Sequence, residues 1–198
     1  MRKATKEYKI FDYDVDKSKI VEHDWYDNEE KRKYMTNLAS EIGWIIIEFS
    51  SLENKLDSIL NFHLIETSKN KEIIYSLIQN KRFSDKIDLF AQLLKINFTK
   101  NPEIYNRETN NFQIELDLLI NKLKDVSKIR NKYAHSVWSN ISESKYVESK
   151  TKISKNGIEK VYMKYDFEDI DKDYDDLFET GTILSEFNEK ILNCLTYI

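Results

Sequence analysis

Residues 38–64, LASEIGWIIIEFSSLENKLDSILNFHL, decide the fold class. At about 100° per residue with Ile42 as zero, Leu38, Ile46, Phe49, Leu56, Leu60 and Leu64 project within about 40° of one line. A stripe of that width sustained over many turns marks an amphipathic helix with a core-facing side, and it predicts a helix from about Glu30 to about Leu64. Glu53 projects about 20° from Ile42, in the middle of that stripe. An ionised carboxylate there needs a partner or must protonate, because burying an unpaired charge costs several kcal/mol.

The composition agrees with a helical chain. Of 198 residues, 33% are charged, 40% are hydrophobic, and there are only one proline and three glycines. With so few helix breakers the expected class is all-α, folded as one domain. The apolar patch IGWIIIEF at 42–49 is too short to span a bilayer, and the N-terminal MRKATKEYKIFDYD lacks the apolar core of a signal peptide. A cytoplasmic protein with no membrane partner is expected. The single cysteine, Cys194, cannot form an internal disulfide or a thiolate cluster, which suits a reducing compartment, and it reads as a small core residue of the last helix.

Outward from the first helix, residues 1–30 mix aromatic and charged residues without a period and are expected to form an irregular arm or short strand. A second helical segment begins near Lys71, and a third follows with Ser84 as its expected N-cap. The stretch NFTKNPEIYNRETNN around Pro102 is expected to be a loop. A fourth helix, from about Glu108 to Tyr133, carries the stripe Phe112, Leu116, Leu119, Leu123 and Val126. Asn156-Gly157 then joins two segments rich in Val, Ile, Tyr and Lys, which predicts a small β-hairpin at about 143–167. A last helix from about Asp173 to Leu195 shows Leu177, Leu184, Phe187, Ile191 and Leu195 on one face.

The net charge of −4 excludes a broadly basic nucleic-acid-binding surface, so any such binding must be local. Lysines predominate from Lys145 to Lys164, as a phosphate-holding or a plainly solvated segment, and an acidic run from Asp166 to Glu179 follows. On the fourth helix Arg130 falls on the apolar stripe, four residues after Val126. Glu53 and Arg130 are therefore expected to approach one another, directly or through water, giving either an oriented guanidinium at a partly enclosed site or a structural ion pair that sets helix register. Alternatively the arginine stem packs while its head reaches water. Asn131 and His135 are four apart and share a helix face. Arg130 and His135 are five apart, about 140° around an intact helix, so they converge only if the helix ends near Tyr133 or a second chain completes the site. Taken alone, His135 is also a favourable cation at a helix C-terminus.

RNKYAH, residues 130–135, resembles the Arg-x(4–6)-His signature of the HEPN superfamily, in the form Arg-Asn-x-x-Ala-His through Arg130, Asn131, Ala134 and His135. FSSLENKL on the first helix and FSDKIDLF on the third resemble segments that precede the motif in bacterial members, so the resemblance covers about residues 35–198. It implies a four- to five-helix bundle over 31–198, a homodimer whose two motifs line a shared cleft, and a metal-independent endoribonuclease of the toxin–antitoxin or abortive-infection (antiviral defence) kind. RNA is then the substrate, no cofactor or metal is needed, and an antitoxin or regulatory protein is a possible partner. The resemblance gives His135 the role of general acid or base, Arg130 that of phosphoryl-oxygen ligand, and Asn131 that of orienting group, with Glu53 and Tyr133 in support. It also allows a non-catalytic HEPN module that binds RNA, a nucleotide or a protein. Members silenced by nucleotide transfer carry a tyrosine two residues after the histidine; this chain has Val137, leaving Tyr133 as the weaker acceptor. Trp138 could stack a base or close the core.

Overall fold

The computed structural model describes residues 7–10, 29–65, 70–109, 111–142, 145–154, 157–165 and 167–195. Helices dominate: α1 (Glu29–Ile65), α2 (Lys71–Gln79), α3 (Phe83–Lys100), α4 (Pro102–Glu108), α5 (Phe112–His135) and α6 (Phe167–Leu195). Four strands accompany them, β1 (Glu7–Ile10), β2 (Val137–Ser142), β3 (Lys145–Ser154) and β4 (Gly157–Tyr165). Contacts divide the chain into two compact units, one of Met1–Ile46 with Asn131–Tyr174, the other of Ile47–Arg130 with Asp175–Ile198.

The first unit holds a sheet of order β1-β4-β3-β2 with every neighbouring pair antiparallel. Strands β3 and β4 pair from Tyr146↔Tyr165 to Ser154↔Gly157, while Asn156 lies outside the described residues. The sheet is larger than one small hairpin. On one side β2 adds to β3, with a register shift between Asn140 and Ser142. On the other, Glu7–Ile10 adds to β4, so part of the arm forms a short strand, one of the two forms expected of it. A hairpin alone leaves two open edges, and short flanking segments satisfy their backbone donors and acceptors. Most of the remaining arm lies outside the described residues.

The second unit is helical around an apolar core. Phe49, Leu52, Leu56, Ile59 and Leu60 of α1 are buried with Ile87, Phe90 and Leu94 of α3. The α5 stripe Phe112, Leu116, Leu119, Leu123 and Val126 is buried throughout, as are Leu177, Leu184, Phe187, Ile191 and Cys194 of α6. The side chain of Leu195 lies outside the described residues. Within this unit the buried residues of α1 centre about 50° from the Ile42 line, toward Leu52 and Ile59. That rotation moves Glu53 from the middle of the stripe to its margin.

Two local expectations are corrected. Residues 102–108 form α4 instead of a loop, because proline at the first helical position loses no hydrogen bond and arrives with a helical φ. Helix α4 delivers Tyr105 into an aromatic cluster, its ring centroid 5.0 Å from Phe112, which stacks on Phe98 at 4.7 Å. Ser84 is not the N-cap of α3, which starts at Phe83 after an extended Arg82 whose side chain makes no capping bond. The Arg82 carbonyl instead accepts from the Asp85 and Lys86 amides at 2.9 and 3.0 Å.

Candidate functional site

The motif ends α5. The helix remains unbroken through His135, and the Ser136 amide donates to the Lys132 carbonyl at 3.2 Å, so helical bonding reaches past the expected end at Tyr133. Asn131 and His135, one turn apart, are both exposed. Arg130 and His135 leave this unbroken helix in directions about 140° apart. Arg130 is half-buried, and its guanidinium carbon lies 5.8 Å from the centroid of the Phe49 ring. Phe49 in turn meets Phe83 edge-to-face at 4.7 Å. A guanidinium over an aromatic face gains about 0.5–2 kcal/mol, depending on how far water is excluded.

In the first unit the last turn of α5 is anchored to α6. Asp173 accepts a hydrogen bond from the Tyr133 hydroxyl at 2.8 Å and forms a short salt bridge with Lys132. The Lys132 ammonium also sits 4.6 Å from the Tyr133 ring centroid, and that ring stacks on Trp138 at 5.2 Å with planes 7° apart. Tyr133 is 3% exposed. Its hydroxyl is thus engaged by Asp173, and one face of Trp138 is covered by the Tyr133 ring. This network fixes the turn from which Asn131 and His135 project.

The expected counter-charge for Glu53 is replaced by another. Lys86 of α3 donates to Glu53 Oε1 and to Asp57 Oδ2, each at 2.8 Å, so the ion pair of Glu53 is with Lys86 and not with Arg130. Asp57 follows Glu53 by one turn and is 4% exposed, Lys86 is 2% exposed, and Gln79 Nε2 donates to Asp57 Oδ2 at 3.4 Å. Burial alone disfavours the Lys86 ammonium, but hydrogen bonds and charge from Asp57 and Glu53 outweigh it and raise its pKa above the ordinary lysine value. The triad ties α1 to α3, and its chemistry is structural: two carboxylates held by one cation.

The signal for Lys86 was present in the sequence. It lies three residues after Phe83 and four before Phe90, on the apolar line of α3, just as Glu53 lies beside that of α1. Asp173 gave no such signal, because it sits in an acidic run that reads as a solvated helix start. Among the described residues no group of three or more His, Cys, Asp or Glu side chains is arranged to hold a metal ion, and no helix is long and apolar enough to cross a membrane. No family model matches the chain, and no curated protein or solved structure matches it.

Proposed function

We propose that the chain is a HEPN-type, metal-independent endoribonuclease acting as a homodimer, with Arg130, Asn131 and His135 as its site and a toxin or anti-phage role. The observation that carries the reading is the Arg-Asn-x-x-Ala-His motif at the end of α5, with its histidine and asparagine exposed on one face of an anchored turn. In the reaction a ribose 2′-oxygen attacks the adjacent phosphorus. The bond from phosphorus to the 5′-oxygen breaks, the 2′-hydroxyl loses a proton and the leaving 5′-oxygen gains one. The imidazole of His135 can serve either proton transfer, and such catalysis contributes about 10²–10⁴-fold. Arg130 holds the phosphoryl oxygens as charge grows on them. Requirement for the 2′-hydroxyl restricts the substrate to RNA. With α5 helical to His135, the arginine and histidine of one chain diverge, so the proposal relies on a second protomer to bring complementary side chains to one cleft.

The decisive experiment is RNA cleavage by the purified protein in chelator. Cleavage that His135→Ala abolishes and that persists in chelator supports the reading; equal behaviour of wild type and variant sinks it. The divergence on an unbroken helix, together with the net charge of −4, favours one second reading, a HEPN module that binds RNA, a nucleotide or a protein without turnover. It predicts affinity with no product.

A further inference from the structure

Within the second unit, α3 and α5 run antiparallel and are bridged twice at the surface. Lys95 Nζ lies 3.7 Å from Asp117 Oδ1, and Lys124 Nζ lies 3.8 Å from Asp88 Oδ1. Between the two bridges runs a groove of about 430 Å³ whose lining includes Ala91 and Ile120. Asp88 and Lys95, like Asp117 and Lys124, are seven residues apart, so each pair occupies nearly the same helix line with about 10 Å between its members. The four charges therefore stand at the corners of a rectangle with signs alternating around it.

Such a face is complementary to itself. Turning a second copy by 180° about an axis lying in the face and parallel to the helices places Lys95 over the second copy's Asp117, and Asp88 over its Lys124. An axis in the face but across the helices also matches opposite signs, pairing Lys95 with Asp88. The apolar residues choose between the two. Ile96 on α3 and Ile114 and Leu118 on α5 are 55%, 57% and 61% exposed, and all three lie at the Lys95–Asp117 end of the face. They project within about 60° of the exposed line through Gln92 and Asn121. The axis parallel to the helices lays Ile96 over Ile114 and Leu118 of the second copy. The axis across them lays these apolar side chains toward Asp85 and Asp125 instead.

We infer that the α3–α5 face is an interface between two copies of this chain, formed about a two-fold axis parallel to those helices. Each α3 then packs antiparallel on the α5 of the second copy, as an isologous contact requires. The apolar shoulders supply the buried area and choose the axis, and the alternating charges set register along it. Both readings need a second copy, but the inference stands on the second unit alone, and what tests it separately is the response of the dimer to substitutions in this face, which the cleavage assay does not read.

The test is sedimentation equilibrium of the full chain at micromolar concentration, with thermal melts as the folding control. Wild type is expected to be a dimer. Ile96→Glu with Leu118→Glu should raise the dimer dissociation constant at least about tenfold while leaving the melt unchanged, since both side chains face water. Lys95→Glu with Asp117→Lys keeps the internal bridge and, about the parallel axis, still sets opposite charges face to face, so the dimer should survive. A monomeric wild type, a dimer indifferent to Ile96→Glu with Leu118→Glu, or a dimer lost in the Lys95–Asp117 exchange would each overturn the inference.

Discussion

Replacing Lys86 by methionine removes the one cation shared by Glu53 and Asp57 while nearly preserving the volume and the apolar stem. The side chains of Lys86 and Asp57 are 3% and 6% exposed, so the carboxylate of Asp57 is left in a site that water barely reaches. Removing one partner of a buried pair costs roughly 3–5 kcal/mol, most of it the desolvation of the charge left behind. Glu53, with 32% of its side chain exposed, adds little because it can turn toward solvent. In a chain of this size that loss corresponds to a fall in melting temperature of roughly 6–20 °C. Urea denaturation near neutral pH measures the free energy directly. The deficit should shrink as the pH falls: the folded variant takes up a proton on an orphaned carboxylate more readily than the unfolded chain does, so its relative stability rises toward acid. Lys86→Met with Asp57→Asn should recover a large part of the loss, since no full charge is then stranded in the core. A deficit below about 1 kcal/mol for Lys86→Met, with no pH dependence, would refute the reasoning, because it would mean that the triad behaves as an exposed pair.

In the cleavage assay, Arg130→Ala and His135→Ala should each lower the rate by about 10²-fold or more, with circular dichroism showing both variants folded. Asp173→Ala breaks two bonds that hold the last turn of α5, and a half-buried carboxylate network of this kind is worth about 1.5–3 kcal/mol; Tyr133→Phe, which deletes only one of them, should cost less in the same urea titration. Alkaline stability should follow from two groups whose pKa is raised in the folded chain. In Lys86 the acidic partners overcome burial, and in Tyr105 burial raises the phenol with Cys194 adding to it. Raised folded values mean that this stability is complete below the unfolded pKa values, near 10, and is lost as pH rises through the folded ones, so the urea midpoint should fall above about pH 10. Gly43, inside α1, has nothing within 4 Å of the position a Cβ would take, so Gly43→Ala should raise stability by about 0.5–1 kcal/mol in thermal or urea melts.

The sequence by itself determined the helical character of the chain, the α5 and α6 stripes that form much of the core, and the polar motif on which a functional proposal rests. These are local properties: a 3.6-residue period writes the buried face of a helix into its own residues. It misjudged Pro102, where the preference of proline for a first helical turn outweighed its reputation as a breaker. Only the tertiary structure decided which charges meet. Glu53 and Arg130 each stood out as ions on apolar helices, but pairing is set by the angle at which helices pack, and a rotation of about 50° in the buried face of α1 accompanies a different outcome, with Glu53 held by Lys86 and Arg130 laid over Phe49. Asp173 was equally invisible, since an aspartate among aspartates declares no partner until its helix lies beside Lys132 and Tyr133. A helix's own sequence records which of its faces avoids water; the identity of the side chain across from it is a property of two elements at once, and only the folded chain contains it.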